Sequence, residues 1–584
     1  MATASGFDGF ARALPESKNV ESSRIIDFLR NADETGINFN SFMLYRNGAV
    51  IAEGWWSPYS PDLRHTMHSA TKSFLSAAVG LAVAEGYFKL DDKVTSFFPE
   101  HVCSSQNANL AAMTVEALLT QTSGHATGAS GGTWRGIKTS WITEFFKIQV
   151  VHQPGTYFKY SSATSFLLSA IIQKTTGKST HEFLMPRLLQ PLGITDLTWD
   201  IGPEGINPGG NGISCRSSDL LKLAVLHLHG GIWNGRQILP RDWVQRATTS
   251  QRGNHYGYHW WIGEGSSYYA YGLFGQFAFV FPDHDAIVIT TSSVLPGEIA
   301  LRSLILRHVP KIFGSHKTLA GPAGKTLHEY CQKLEVPLPV KPSLLTPRTD
   351  IFDRLFITKL NTDRIDGFSL GLDVDRCIFH LWDHRGLHRV DMGLDRWLDG
   401  ETTVSDASLH HGYEPPISRI VARAAWSSPN SFHMVWQFVE TAFQDHLTIR
   451  FIGTHEAILE RGTNVNSFAT QRPPISACIL EKGSGLPSEM QIRARRLGHS
   501  EALNSLAVPP RTARYSSSSA SLGELLENPE TRKIIEELSP NLVETPHLEK
   551  IDAYNLVTIA STADSDLKLE TIDAALEKIP LSVT

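Results

Sequence analysis

The chain has 584 residues, 41% of them apolar, 19% charged and 9% aromatic, with a formal net charge of −6. At about 150 residues per domain, that length asks for two to four domains, and the charge offers no basic surface on which to base nucleic-acid binding. No apolar run approaches the roughly 18 to 20 residues of a bilayer span, and five scattered cysteines without CxxC spacing indicate neither a disulfide framework nor a zinc site. The opening "MATASGFDGFARALPESKNV" lacks the apolar core of a secretory signal, so a cytoplasmic protein with reduced thiols and no membrane association is the expectation.

In chain order, "FMLYRNGAVIAEGWW" (Phe42 to Trp56) predicts a hairpin, with Asn47 and Gly48 able to take positive φ in the turn. "HSATKSFLSAAVG" (His68 to Gly80) follows as a buried helix that carries Ser69 and Lys72 one turn apart on one face. The Gly-rich "GHATGASGGTWRG" (Gly124 to Gly136) lacks the pattern of a phosphate loop and reads as a surface loop or a lid. Tyr160 then stands in "YSS" just before another apolar helix. "FGQFAFVFPDHDAIVITTS" (Phe274 to Ser292) gives two strands around a Pro282 to Asp285 turn. Between 340 and 485 the pattern changes to short alternating strands, as in "SFHMVWQFVETAF", where Phe432, Met434, Trp436 and Phe438 share a face. Residues 486–520 lack periodicity and read as a linker. Residues 521–584 read as a small helical module, with Ser521 and Glu524 in capping-box register and Leu567, Ile572, Leu576 and Ile579 at helical spacing.

The chemistry-bearing residues are few. A serine hydroxyl attacks a carbonyl only if a neighbour takes its proton, and a lysine can do so when burial lowers its pKa. Ser69 and Lys72 have the spacing for it, and Tyr160 could relay protons between nucleophile and leaving group. Trp134, Trp141, Trp260 and Trp261 could line an acyl pocket, although core packing is the preferred reading of Trp260 and Trp261. His227 and His229 lie on different faces of a helix, and His380, His384 and His388 near Asp383 fall in the β-rich region, so neither group is read as a metal site. No cofactor is expected.

Seven stretches strengthen this reading: "HSATKSFLSAAVGLAVAEG", "LDDKVTSFFPE", "MTVEALLTQTSGH", "QPGTYFKYSSATSFLLSAIIQKTTGKSTHEFL", "LLQPLGITDLTWD", "SSDLLKLAVLHLHGGIWNGRQILPRDWV" and "YGYHWWIGEG" with "YGLFGQFAFVFPDHDAIVI". In this order they resemble the serine hydrolases of the β-lactamase-related superfamily, which includes class C β-lactamases, DD-peptidases, family VIII esterases and 6-aminohexanoate-dimer hydrolases. The "YSSA", "WNG" and "YGYHWW" segments look most like the last group. The resemblance covers about residues 25 to 310. It implies a β-lactamase/transpeptidase-like domain with an antiparallel sheet and helices over 20–320; with the β-rich accessory domain (340–485), the linker and the helical module read from the sequence pattern, the expected class is α+β.

The resemblance also implies roles. Ser69 matches the acylated nucleophile, Lys72 its general-base partner and Tyr160 the tyrosine of the second motif. Ser162 falls where relatives place a substrate hydrogen-bonding Asn or Ser. In the third motif, "GLFGQ" (Gly272 to Gln276), Gly275 would give a substrate carbonyl room to approach, and the Gln276 N–H would join that of Ser69 in an oxyanion hole. Relatives carry Lys or His there, whereas Leu273 and Phe274 cannot pair with a carboxylate, which favours neutral ester or amide substrates over β-lactams and stem peptides. The expected function is hydrolysis of a small ester or amide. The alternatives are an acyltransferase using the same acyl-enzyme and a non-catalytic scaffold.

Overall fold

A computed structural model describes residues 8–101, 108–295, 299–313, 323–337, 351–373, 376–394, 396–480, 490, 522–527 and 529–538. Its first half is built on a seven-stranded sheet in the order Ala11–Arg12, Ala49–Trp55, Phe39–Arg46, Ala286–Ser292, Gln276–Phe281, Tyr268–Gly272 and Trp261–Ile262. All neighbours are antiparallel except the first pair. The expected hairpin forms, with Asn47 at φ 44° and Gly48 at φ 82° in its turn.

Side chains alternate across a strand, and here both faces are buried. Met43, Tyr45, Ile287 and Ile289 face one helical layer, while Phe42, Leu44, Val288 and Phe279 face the other. The strands therefore read as nearly continuous apolar runs rather than alternating ones. The first layer contains helices Thr71–Ala84, Ser162–Thr176 and Ser217–Leu228. In Thr71–Ala84 every residue from Thr71 to Ala82 is buried, as expected of a helix apolar on all sides. The opposite layer holds Ser22–Glu34, Ile299–Ile312 and Ala323–Cys331. Leu334 and Val336 join that layer too, so the packing of this half runs past residue 320.

The β-rich region is a ten-stranded antiparallel sheet that closes on itself, because its first strand, Gly386–Leu394, also pairs in parallel with its next-to-last, Ser418–Ser428. Small barrels are filled by side chains, and this one is filled by Phe356, Phe368, Phe379, Phe432 and Trp436. The face of Phe432, Met434, Trp436 and Phe438 expected from alternation is indeed the inward one. One residue of this core, Phe274, comes from the other half of the chain. Of the C-terminal module, helices Leu522–Glu527 and Pro529–Leu538 are described. The linker expected at 486–520, Met490 apart, and the helix around Leu567 to Ile579 lie outside the described residues.

Candidate active site

Ser69 sits in a single 3-10 turn, His68–Ala70, directly before helix Thr71–Ala84. Lys72, one turn on, is 1% exposed. Its Nζ lies 3.4 Å from Ser69 Oγ, 3.2 Å from Ser162 Oγ and 2.8 Å from the Gly210 carbonyl oxygen. Ser162 opens helix Ser162–Thr176, and Tyr160 ends the approach to it. Tyr160 stands beside Ser69, close enough for the serine side chain to act on its phenol, and Lys72 Nζ lies 4.7 Å from the centre of its ring. Four of the six residues singled out in the sequence thus meet at one point.

Burial sets the electrostatics. Removal from water disfavours a charged amine, and Lys72 is brought down to about 7 with no carboxylate to oppose it. The same burial pushes the Tyr160 phenol up to about 12, moderated by the neighbouring Ser69 side chain. At neutral pH the pair is a partly neutral amine and a protonated phenol.

The surroundings hold this arrangement in place. Gln121 Oε1 accepts the Ser161 N–H at 2.7 Å and the Thr164 hydroxyl at 3.1 Å, bracing the second motif. Trp261 stacks on Tyr160 with ring centres 5.6 Å apart. Of the other tryptophans considered, Trp260 is fully buried against His227, and Trp134 and Trp141 pack on each other and on Phe166. In the β-rich region, His388 bonds to Asp383 at 2.9 Å and to Thr403 at 2.8 Å.

The third motif is placed differently from the expectation. Strand Tyr268–Gly272 runs past the nucleophile turn so closely that a Cβ on Gly272 would stand 2.1 Å from the Met67 carbonyl oxygen. Gly272, rather than Gly275, is therefore the glycine against that turn. Gly275, at φ 97°, directs its missing Cβ toward Leu301 and Ser292, on the far side of the sheet. The Gln276 side chain is spent within the hairpin: it donates to Leu273 O and Ser292 O and accepts the Ser292 N–H. Phe274, at φ 66°, turns into the barrel core.

Sequence reasoning missed Gly210, Ser130 and Asn211. Gly210 accepts from Lys72, and a Cβ there would meet Ser162 Cβ at 2.8 Å. The run "NPGGNG" was the available signal, since close backbone approach demands glycine. Ser130 Oγ accepts the Ser162 N–H at 2.8 Å, and Asn211 accepts from Arg135 at 2.9 Å. Both lie inside Gly-rich stretches, Ser130 in 124–136 and Asn211 in 207–212, but no spacing singles out either residue.

The β-lactamase family model matches residues 29–305. The chain is 24% identical over 301 residues to a 6-aminohexanoate-dimer hydrolase of Paenarthrobacter ureafaciens, covering 47% of this chain and 76% of that one. It is 30% identical over 167 residues to Protein flp of Staphylococcus aureus strain NCTC 8325 / PS 47, covering 26% of this chain and 33% of that one. The solved structure of EstCE1, a hydrolase with promiscuous acyltransferase activity, aligns at 15% identity and TM-score 0.43, over 51% of this chain and 99% of its own. The similarity to β-lactamase-related serine hydrolases thus covers residues 29–305, just under half of the chain.

Proposed function

We propose that the chain cleaves a small ester or amide through an acyl-enzyme on Ser69, with Lys72 as base and Tyr160 as proton relay. The observation that carries this reading is the buried Lys72 amine, held at about 7 and turned on Ser69 Oγ. A lysine at its ordinary value would be charged at neutral pH and could accept nothing. A neutral Nζ keeps two N–H donors, which Gly210 O and Ser162 Oγ can accept, and leaves its lone pair for the Ser69 proton.

Ser69 Oγ then bonds to the substrate carbonyl carbon, and the π electrons move to the oxygen. The oxyanion rests on the backbone N–H of Ser69, at the turn that strand Tyr268–Gly272 runs against. As the intermediate collapses, the leaving alkoxide or amine takes a proton from Tyr160, which recovers one by way of Lys72. Water, deprotonated by the same pair, attacks the ester carbonyl and frees Ser69. Kinship with a 6-aminohexanoate-dimer hydrolase supports amide as well as ester cleavage.

The test is turnover of chromogenic short- and medium-chain acyl esters, an anilide and a cephalosporin by wild type and Ser69→Ala, with intact-mass detection of the adduct. Wild type is expected to turn over an ester or the anilide and to carry one acyl group, and Ser69→Ala to lose at least about a thousandfold. A folded wild type that is inert even to a reactive phosphonate overturns the reading. Added alcohol or amine that diverts acyl groups from water would instead mark an acyltransferase.

A further inference from the structure

The barrel reaches the Ser69 site at two points. The first is His68, the residue before the nucleophile, held at φ 45°, which a non-glycine residue adopts only when its surroundings enforce it. Its ring is 2% exposed and meets edge-on Phe274 at 5.2 Å and the barrel residues Tyr413 at 5.3 Å and Phe443 at 6.4 Å. The second is the Gly-rich segment. The Arg135 guanidinium lies 3.6 Å from the centre of the Tyr413 ring. A Cβ on Gly131 would stand 2.8 Å from the His411 ring, and one on Gly412 would stand 2.9 Å from Gly132 Cα.

That segment leads to the catalytic cluster. Ser130 Oγ accepts the Ser162 N–H at 2.8 Å, and Ser161 Oγ accepts the Ala129 N–H at 3.1 Å, so residues 129 and 130 hold the start of the helix that carries Ser162. The barrel loop is itself anchored. Asp406 pairs with Arg461 at 2.5 Å, and His410 bonds to Asp445 at 2.8 Å while stacking on Phe443.

We propose that Tyr413 and His411 are positioning residues of the Ser69 site, clamping both the nucleophile turn and the Gly-rich segment, so that the barrel is part of the catalytic apparatus. The inference rests on the proposed Ser69 chemistry for its kinetic consequence, but not for its mechanical one. The Tyr413 ring makes these contacts: its hydroxyl is buried with no hydrogen-bond partner among the described residues. Loosening the clamp frees the cover over Ser162 and lets water reach Lys72. The titratable groups that face Lys72 are Tyr160 and His259, held protonated and neutral respectively by burial, so a change in the base limb of the pH profile reports Lys72 itself.

The experiment compares full-length wild type, Tyr413→Ala and Tyr413→Phe with a 4-nitrophenyl ester as substrate, together with amide hydrogen exchange over residues 126–136. In Tyr413→Ala, kcat is expected to fall by about tenfold to a hundredfold with KM little changed, since misplacement by about 1 Å has that order of effect. Its base limb should move upward by about one pH unit or more as Lys72 is hydrated, and exchange over 126–136 should quicken. Tyr413→Phe should restore all three. A general loss of stability would lower the folded fraction without moving the pH limb. An unshifted limb and unchanged exchange in Tyr413→Ala, or a Tyr413→Phe variant that behaves like it, overturns the proposal. If wild type proves inert to the phosphonate, the Ser69 chemistry fails, and the exchange data still decide whether the clamp exists.

Discussion

Lys72 and Lys222 are both buried in the same half of the molecule, yet their surroundings differ. Lys222 Nζ lies 3.2 Å from the Asp219 carboxylate, with both side chains at most 5% exposed. In the barrel, Arg461 is likewise held between Asp363 at 3.0 Å and Asp406. Among the described residues Lys72 has hydroxyls, a carbonyl, an aromatic ring and the neutral His259 imidazole around it, and no carboxylate. A buried cation with a counter-ion stays charged and serves the fold, whereas one without is driven toward its neutral, basic form. The difference between the two lysines separates structural from chemical use of the same side chain.

The largest expected effect breaks the comparison at its reactive end. Lys72→Met keeps length and fills the same space but cannot accept a proton, so kcat/KM for an ester should fall by about a hundredfold to ten-thousandfold. Single-turnover release of the leaving group, compared with wild type, measures the acylation step. A variant within a few fold of wild type would mean that another group takes the Ser69 proton.

The next effect is on stability, and the two lysines should respond with opposite sign. Removing Lys222 leaves the Asp219 carboxylate buried without its cation, so Lys222→Met should cost about 3–5 kcal/mol. For Lys72 the folded value is about 7 against an ordinary 10.5 in the unfolded chain. Between these values the unfolded chain binds a proton that the folded one lacks, so stability rises with pH across that window. The cost of burying the charged amine is therefore full below pH 7 and relieved as pH climbs toward 10.5. Each pH unit of that window is worth about 1.4 kcal/mol, so Lys72→Met should stabilise the protein by a few kcal/mol at pH 6 and by progressively less toward pH 10. Urea unfolding of both variants at pH 6 and pH 9 reads this directly, and a destabilised Lys72→Met at pH 6 contradicts it.

How much of this was legible in the sequence follows from the range of each interaction. Ser69 and Lys72 are three residues apart, and Tyr160 and Ser162 flank one helix start, so local spacing exposes them. The sheet hairpins were legible for the same reason, their turns being marked by Asn47–Gly48 and by Pro282 to Asp285. The third motif was not: the substitution of Phe274 for a polar residue read as a change of substrate, while in the fold it is also a contact with a domain whose strands begin at Arg354. Tyr413 on Arg135 and His411 on Gly131 join residues more than 250 positions apart, and no periodicity records such a pairing.

The smallest effect sharpens the comparison by making Lys72 resemble Lys222. Ser162→Asp places a carboxylate where Ser162 Oγ now stands, 3.2 Å from Nζ. Position 162 opens a helix, and the N-terminal end of its dipole favours an acid there. An opposite charge within about 4–6 Å favours the charged form and moves a pKa by about 1–3. The base limb of kcat/KM, expected near 7 in wild type from the burial of Lys72, should therefore move upward by about that amount, with activity recovered at alkaline pH. The recovery distinguishes a restored charge from a damaged site, since a variant that merely misplaced Ser69 would stay slow at every pH. If the limb remains near 7 in a folded Ser162→Asp protein, burial without a counter-ion is not what sets the basicity of Lys72.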